Sequence, residues 1–578
     1  MKVISRPLKF IIITSLCLVP LILLAFFYES LQNYSVLFQP YGFKSFGFHH
    51  PNPTVEVESL TDLLQRRVSV GNIDDKNSMF SEHDAAQGFY DHEISSFLSY
   101  NQIGSQEQSQ RVPCNPFQHS VKVSRWNKNL DVSLVEVRRH IFENHPDLKQ
   151  YLESPDDANK SEEDIVEQQW FQFGGSSVWL EKEQCYLMVT RIMHSPTGFK
   201  NIPRTSLMWV RALDRNWEEI KGKNVSYLDQ ALFDVDAPVG DKEESLGKRT
   251  SDSATNCELF KHNSSDYGSC VMKNATYPKL ADIRFEIDKV YNGPEDPKVV
   301  LREYNGVEEP VIVFNMNVHK GEEQRRMMHA YLLHRATNNL IQFEIEGREP
   351  LEIEKNWAPF FARNQSNINF VYQYDPLEIL TCSLDTGKCR TEYSEKEQSG
   401  REIGYIRGGT QYVPLPGVLP HIKDKQFWIG FPKLHIDACG CGDNFYRPML
   451  SVLTRDLEGV YSREISSGAI TFGLDVLSWD QKSSACGGSN VLSPNSISYW
   501  EVVGKDTRTG KIDDHLALAM SESDSTSKVI VLRGVLDYIL KMYVQEKMSV
   551  DPIACLSEQS KETCMVYGEK HQRDLGTD

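Results

Sequence analysis

Short polar segments that are each followed directly by a short apolar run constrain the fold of this chain more than any other feature. We call each such polar segment the entrance of the strand that follows it. The clearest is residues 293–298 (GPEDPK), after which residues 299–301 and 311–314 form apolar runs around a turn-like Tyr-Asn-Gly. This pattern predicts a β-hairpin with a rigid, acidic entrance. Because Pro297 restricts the residue before it, Asp296 is predicted to be extended.

Similar entrances recur downstream, at residues 354–360 (EKNWAPF) and 407–410 (RGGT), and the spacing is 59 residues from Glu295 to Glu354 and 53 residues from Glu354 to Arg407. Sheets of about 40–50 residues plus loops, the size of propeller blades, give such spacing. Few segments between the runs have helical periodicity, which argues against a doubly wound sheet. The sequence therefore predicts a mainly β fold, a five-bladed β-propeller.

Further elements complete this prediction. Helical spacing marks residues 131–152, and residues 325–335 fit either a helical turn or outer strands. Other apolar runs read as strands: residues 185–192 paired with 206–213, residues 368–372, and a last group at 470–477, 496–503, 516–520 and 529–532.

The N-terminus predicts a membrane anchor. Lys2, Arg6 and Lys9 precede residues 10–28, an uncharged stretch just long enough to cross a hydrocarbon core as a helix. A cleaved signal peptide is the competing reading, but its apolar core would be shorter. The expected organisation is a cytoplasmic tail at 1–9, a transmembrane signal anchor at 10–28, a lumenal stem at 29–115 and a lumenal catalytic domain at 116–578. A short type II span fits a secretory-pathway membrane such as the Golgi.

Charge, glycosylation signals and cysteines agree with a lumenal location. With 62 basic and 80 acidic residues, the net charge of −18 argues against nucleic acid as a partner. Acceptor triplets for N-glycosylation occur at Asn33, Asn159, Asn224, Asn263, Asn274 and Asn364. Eleven of the twelve cysteines follow the predicted anchor, which suggests disulfides and one odd thiol. Close candidates are Cys257/Cys270, Cys382/Cys389 and Cys555/Cys564, while Cys439-Gly440-Cys441 fits either bridges or metal.

Several motifs, taken in order, resemble the fungal β-1,2-mannosyltransferase family: residues 354–360, 375–376 (DP), 406–410 (IRGGT), 439–441 (CGC) and 446–448 (YRP). Separately, residues 295–298 (EDPK) are similar to the Glu-Asp-Pro-Arg entrance of five-bladed β-mannoside phosphorylases, with Lys298 where arginine is usual. The first resemblance implies an inverting enzyme that adds β-1,2-linked mannose from GDP-mannose to oligomannosides or mannosylated glycolipids of the cell wall.

Inversion needs a carboxylate base for the acceptor hydroxyl, and the departing diphosphate needs positive charge. The phosphorylase resemblance makes Asp296 the predicted base, with Glu354 as second choice; the alternative is that Glu295 and Asp296 only cap a turn. The predicted substrate-binding residues are Glu295, Lys298, Asn356, Trp357, Asp375, Arg407, His435, Tyr446 and Arg447. Trp357 could equally pack between blades, and Arg407 and His435 could be structural.

Other readings remain open at this stage. Asp234 and Asp236 match the Asp-x-Asp pair that holds Mn²⁺ in Rossmann-like transferases, but no alternating strand-helix order surrounds them. No cofactor is therefore firmly implied. A membrane-anchored propeller glycosidase or phosphorylase acting on β-mannosides, and a noncatalytic mannan-binding propeller, are the alternative functions.

Overall fold

The computed structural model describes residues 56–57, 78–80, 82–95, 97–99, 118–228, 272–287, 290–304, 307–320, 323–333, 335, 338–362, 367–396, 406–479, 486–505, 512–544 and 552–575. The predicted anchor and most of the predicted stem lie outside these ranges. So do the Asp-x-Asp pair and the Cys257/Cys270 pair. Within the described ranges, no helix combines the length and apolar character that crossing a bilayer requires.

Four sheets have the size of propeller blades, and each is ordered here from one edge to the other. The first contains Lys279–Leu280, Thr205–Leu213, Cys185–His194 and Trp170–Leu180. The second contains Pro294–Tyr304, Val307–Lys320, Glu323–Leu332 and Leu340–Gln342. The third contains Glu344–Ile345, Lys388–Ser394, Leu377–Cys382, Ile368–Tyr374 and Ala358–Phe360. The fourth contains Val413–Pro414, Lys425–Gly430, Ser451–Asp456, Tyr461–Ser466 and Phe97–Ser99.

The largest sheet has eight strands and joins both ends of the described chain. Its order is Phe89–Ser95, Gln118–Asn129, Thr526–Arg533, Ile512–Glu522, Asn490–Lys505, Asn444–Pro448, Lys433–Asp437 and Ile406–Arg407. Two small sheets pair Glu56–Val57 with His421–Ile422 and Lys223–Leu228 with Met272–Tyr277.

The fold is thus mainly β and propeller-like, as predicted, but the blade count differs from five. Four sheets are blade-sized, whereas the fifth predicted group is merged into the eight-stranded sheet. That merger arises because Phe445 and Tyr446 pair in parallel with Asn490 and Val491.

Strand alternation explains why the sheets stack through their faces. In the second sheet, Val299, Ile312 and Phe314 face the core shared with the first sheet. Their neighbours Val300 and Val313 face the core shared with the third sheet. Both faces of the sheet are therefore apolar, as the period of two requires when neither face meets water.

The remaining hydrophobic cores also lie between neighbouring sheets. One lies between the third and fourth sheets and another between the fourth and the eight-stranded sheet. A fifth core, containing Trp179, Tyr186, Ala517 and Val529, lies between the eight-stranded and first sheets. Each sheet is consequently packed between two others, which brings one edge of every sheet towards a common centre.

Helices cover the outside of this arrangement: Glu82–Ala85, Leu134–Asn144, Pro146–Leu152, Glu162–Gln169, Val535–Val544 and Pro552–Leu575, with a 3₁₀ turn at Pro155–Asp157. Residues 131–152 therefore contain the predicted helical segment, capped by Ser133, whose hydroxyl accepts a hydrogen bond from the Glu136 N–H.

Two strand predictions have different outcomes. Residues 325–332 lie in the strand Glu323–Leu332, so the strand alternative is correct for this part of the segment. Residues 470–477 form no strand, and that prediction is wrong. Ile470, Phe472 and Val476 are buried in a core, but left-handed backbone at Phe472 and Gly473 breaks any ladder.

Disulfides tie the described chain together. The Cys382–Cys389 bridge is confirmed. The predicted Cys555/Cys564 pair is wrong, because Cys564 bonds to Cys439. Cys441 bonds to Cys486, so the Cys-Gly-Cys motif forms two bridges. Cys185 is the free buried thiol among the described residues.

Candidate active site

A polar cavity of about 240 Å³ is lined by residues of the first, second and eight-stranded sheets and of the segment that leads into the third sheet. Its described lining combines acidic, basic, amide, hydroxyl and aromatic side chains: Phe173, Gly174, Asp296, Pro297, Lys298, Val313, Asn315, Met328, Asn356, Trp357, Gly408, Gly409, Lys433, Asn444, Tyr446, Trp479, Ser489, Val491, Ser493, Asn495, Ser521 and Asp524. The charged members of this lining are two aspartates and two lysines.

The acidic entrance forms a bulge on the edge of the second sheet. Pairing of the strands shifts between Glu295 and Lys298, and Asp296 adopts a left-handed backbone with φ of 54°. The prediction of an extended Asp296 is therefore wrong. The bulge turns the Asp296 side chain into the cavity, at a backbone strain of about 1–2 kcal/mol for a non-glycine residue.

Glu295 is the buried anchor of this bulge. Its two carboxylate oxygens pair with Arg191 and Arg326, each at 3.2 Å from a guanidinium nitrogen. Arg191 also reaches Asp296, with 3.1 Å between its Nη1 and Oδ1. Glu295 thus holds two arginines in place and lies outside the described lining, so its effect on a substrate would be indirect.

Asp296 is an ionised carboxylate in this setting. Burial would raise its pKa, but Arg191, Lys433, Lys298 and Lys355 together hold the pKa of the carboxyl well below its usual range. The side chain keeps 39 % of its surface exposed, so it is accessible from the cavity.

The pKa values of the neighbouring lysines are lowered as well, which for a lysine favours the neutral form. Burial and the neighbouring Lys433 lower the pKa of Lys298 to about 7, although Asp296 raises it. Burial likewise lowers the pKa of Lys355. An anionic group that entered the cavity would favour the charged form of these lysines.

The entrance of the third sheet contributes Asn356 and Trp357. Asn356 has φ of 64° and its carbonyl is approached so closely by Gly408 that a Cβ there would lie 1.9 Å away. Trp357 lines the cavity with one edge and packs on Phe370 and Tyr372 with the rest. Both readings of Trp357, packing and cavity wall, therefore apply.

His435 and Tyr446 form a stacked pair, with ring centroids 4.3 Å apart and planes inclined by 6°. His435 Nε2 lies 3.0 Å from Asn444 Oδ1 and 2.8 Å from Asp437 Oδ1. Tyr446 and Asn444 line the cavity, whereas His435 supports Tyr446 from behind.

Comparison with known proteins places this site in a family. The family described as Beta-mannosyltransferases matches residues 113–337 and 325–571. The chain belongs to the β-mannosyltransferase family. β-Mannosyltransferase 7 of Candida albicans is 30 % identical over 70 % of this chain and 70 % of its own length. β-Mannosyltransferase 1 of Komagataella phaffii is 32 % identical over 73 % of this chain but 59 % of its own length.

Among solved structures, a β-1,3-galactosidase in complex with galactodeoxynojirimycin covers 62 % of this chain and 89 % of its own, with 11 % identity and a TM-score of 0.28. That similarity is too low to support any conclusion.

In this β-mannosyltransferase family member, some of the predicted site residues lie outside the described lining of the cavity. Glu354 is 3 % exposed, and its oxygens accept from the Trp357 indole at 3.3 Å and the Leu351 N–H at 3.1 Å. Glu354 therefore positions Trp357. Its predicted role as a base would require direct contact with a substrate hydroxyl, which does not fit this geometry.

Arg447 and Asp375 have structural partners. Arg447 is fully buried, donates from Nη2 to Asn490 Oδ1 at 2.6 Å, and lies over the Phe445 ring at 3.9 Å. Burial lowers its pKa to about 10. Asp375 pairs with Arg463 at 3.1 Å. Neither contacts the cavity, and predicted substrate contacts at these two positions have no support in this geometry.

Arg407 is exposed at the sheet edge, opposite Lys433 in register and beyond the described lining. Lys433 itself escaped the sequence prediction, although it lies two residues before His435, the interval that puts side chains on one face of a strand. The sequence analysis did not predict Asp524 as a site residue either, because Ser-Asp-Ser between two strands is typical of an ordinary hairpin turn.

Metal ligation has no candidate in the part of the chain that the structure describes, where no group of three or more His, Cys, Asp or Glu side chains converges. The predicted Asp234/Asp236 alternative lies outside that part.

Proposed function

We propose that this chain is an inverting glycosyltransferase that moves mannose from GDP-mannose to a mannoside hydroxyl and forms a β-1,2 bond. The observation that carries the proposal is that two aspartates and two lysines line a single cavity in a member of the β-mannosyltransferase family. Such a cavity has groups of both signs that a sugar nucleotide and its acceptor need.

Stereochemistry requires a single displacement. The mannose of GDP-mannose is α-linked at its anomeric carbon, so a β product needs attack by the acceptor oxygen from the opposite side. A sugar hydroxyl is a weak nucleophile at neutral pH and needs a carboxylate within hydrogen-bond reach to take its proton. Asp296 and Asp524 are the carboxylates on the described cavity wall.

The departing diphosphate gains one further negative charge when the bond to the anomeric carbon breaks, and the lysines can balance it. Lys298 and Lys433 lie on the cavity wall, and Lys355 lies close enough to lower the pKa of Asp296. Cationic side chains in a site sheltered from water stabilise developing phosphate charge more strongly than they would in water.

The polar and aromatic wall suits a mannose ring. Asn315, Asn356 and Asn495 present amides that can donate to and accept from sugar hydroxyls. Trp479 and the edge of Trp357 add aromatic surface to the wall, against which the C–H surface of a sugar can pack. An oligomannoside or mannosylated glycolipid is the acceptor that this proposal assigns.

For the cell, we propose a type II protein of the secretory pathway, in the Golgi membrane, anchored by residues 10–28 with its catalytic domain in the lumen. The three disulfides among the described residues support an oxidising compartment.

The decisive experiment incubates the lumenal fragment with GDP-mannose and defined mannosides, with and without chelator, and determines the linkage by NMR. We expect a β-1,2 mannoside. A product with retained α configuration, release of free mannose or mannose 1-phosphate instead of transfer, or binding without turnover would contradict the proposal. These outcomes correspond to a retaining enzyme, to a hydrolase or phosphorylase, and to a lectin.

Lysine variants test the diphosphate assignment in the same assay. Lys298→Met and Lys433→Met should each lower kcat/KM for GDP-mannose about 10- to 100-fold, the range for losing one charge-assisted hydrogen bond. Lys221→Met is the matched control, because Lys221 is exposed and pairs with Glu136 on the outer surface. Equal effects at Lys221 and Lys298 would argue against a diphosphate site.

A further inference from the structure

The turn that carries Asp524 has an unusual backbone. It joins the strands Ile512–Glu522 and Thr526–Arg533, whose last pair is Glu522 with Thr526. Ser523 and Asp524 have φ of 48° and 46°, so two consecutive non-glycine residues are left-handed. Strained backbone of this kind persists only where the surroundings enforce it, and it is concentrated at functional sites.

A lysine from the loop between the strands Cys185–His194 and Thr205–Leu213 holds this turn. Lys200 Nζ donates to the Ser523 carbonyl at 2.5 Å and to Ser525 Oγ at 2.7 Å, and it lies 4.0 Å from the centre of the Trp479 ring. The Ser523 N–H donates to the Val491 carbonyl at 2.8 Å. Trp479 and Val491 both line the cavity, so the turn is fixed directly against the cavity wall.

The two aspartates of the cavity differ in electrostatic surroundings. Burial and the neighbouring Asp296 raise the pKa of Asp524, more than Lys433, Arg191 and Lys200 lower it. Asp296 has the opposite shift. When two carboxyls in one site have pKa values moved apart, the one with the higher value is the better proton acceptor and the other is held as an anion.

We propose that Asp524, rather than Asp296, is the catalytic base that takes the acceptor's proton, an inference that rests on the proposed mannosyl transfer. In the step, the acceptor oxygen forms the bond to the anomeric carbon while its proton passes to the Asp524 carboxylate. The bond from that carbon to the phosphate oxygen breaks, and its electron pair leaves with GDP. Asp296 stays ionised beside Arg191 and balances positive charge on the sugar ring.

One variant and a matched control test the role of Asp524. Asp524→Asn should lower kcat at least 100-fold, because removal of a general base costs about 10²- to 10⁴-fold, and the remaining activity should lose the acidic limb of the pH profile. Asp385→Asn is the matched control: Asp385 also lies between the strands of a hairpin, but pairs with Arg335 away from the cavity. Asparagine tolerates left-handed backbone, and the urea midpoint of each variant reports whether the fold is retained.

Azide provides a second readout, since it is a nucleophile with no proton to remove. In Asp524→Ala we expect azide and GDP-mannose to give β-mannosyl azide and GDP, whereas Asp296→Ala should not be rescued. Rescue of Asp296→Ala alone, or an Asp524→Asn variant that keeps more than a third of the wild-type kcat, would overturn the assignment.

A separate measurement distinguishes failure of the proposed mannosyl transfer from failure of the Asp524 assignment. A wild-type enzyme that makes no β-mannoside from GDP-mannose refutes the proposed function. Infrared difference spectra of wild type minus Asp524→Asn then decide on Asp524 itself. A carboxyl band that titrates above the ordinary aspartate range supports the electrostatic difference between Asp524 and Asp296 from which the inference is argued, and a band that titrates within that range overturns the inference.

Discussion

Single residues on the cavity wall owe their charge state to neighbours from other sheets. Arg191 of the first sheet pairs with Asp296 of the second, and Lys433 of the eight-stranded sheet acts on both Asp296 and Lys298. Since each partner is more than 100 residues away along the chain, these charge states exist only in the folded molecule. Sequence motifs can therefore nominate Asp296 and Lys298 but cannot assign their roles.

One buried carboxyl outside the site makes stability depend on pH. Asp514 Oδ2 accepts from the Trp500 indole at 2.7 Å and from the Leu536 N–H at 3.1 Å, which fixes the start of the helix Val535–Val544. Burial nevertheless raises its pKa from 3.8 to about 7. The folded state therefore binds this proton more tightly than the unfolded state does.

Asp514→Asn should remove that dependence. The stabilisation from the bound proton is complete below pH 3.8 and is lost as the pH rises towards 7, so wild type should be less stable at pH 8 than at pH 5 by roughly 2–4 kcal/mol from this group. Asparagine keeps an acceptor for both donors and has no proton to lose. Urea unfolding at pH 5 and pH 8 measures the difference, and an unchanged pH slope in the variant would contradict the prediction.

At the scale of elements, the hairpins were predictable and their connections were not. Nearly continuous apolar runs identified the pair at Cys185–His194 and Thr205–Leu213, because both faces of those strands are buried. Residues 470–477 have the same apolar content but pack as irregular chain, which local sequence cannot distinguish from a strand. Disulfide pairing failed for a related reason: Cys564 meets Cys439 only once the C-terminal helix packs on the third and fourth sheets.

The long-range Cys439–Cys564 bridge should stabilise the folded state more than the local Cys382–Cys389 bridge does. In the chain-entropy account, stabilisation grows with the length of the closed loop. The Cys439–Cys564 bridge closes 125 residues and the Cys382–Cys389 bridge closes 7. Replacing both cysteines by serine should therefore cost roughly 5 kcal/mol for the first pair and roughly 2 kcal/mol for the second.

Denaturant midpoints of the two double variants test this order, with a thiol count under denaturing conditions to exclude exchanged bridges. Equal losses of stability would contradict this order and would show that other contacts hold the helix Pro552–Leu575, such as the hydrogen bond from the Val476 N–H to Tyr567 Oη at 2.8 Å.

For the whole molecule, the site follows from convergence of the sheet edges. Entrances that recur along the sequence, such as those at Asp296 and Trp357, meet at one cavity. The recurrence was visible in the sequence, but of the four residues that it was expected to bring together only Asp296 is in the described lining, whereas Glu354, Arg407 and Arg447 are not. Lys433 and Asp524 were missed because their importance depends on which sheets become neighbours, and the parallel pairing that merges Lys433 into the eight-stranded sheet has no local signal.

The lumenal location that we propose makes a prediction about the outer surface. Asn159 lies in the loop before the helix Glu162–Gln169, and Asn224 lies on the strand Lys223–Leu228; both side chains are exposed. Both are in acceptor triplets, so a chain that enters the secretory pathway should carry a glycan at each. Asn159→Gln and Asn224→Gln should each reduce the mass by one glycan, as an endoglycosidase-sensitive shift on a gel.

Asn216→Gln is the control for this test, because Asn216 is equally exposed but is followed by Trp217 and Glu218 and forms no acceptor triplet. Its mass should not change. Since the two glycans would lie on outer loops and strands rather than at the sheet edges that meet in the cavity, their loss should leave kcat unchanged. A full-length chain that carries no glycan at either position after expression in a fungal host would argue against lumenal exposure of this surface, while leaving the chemistry of the cavity intact.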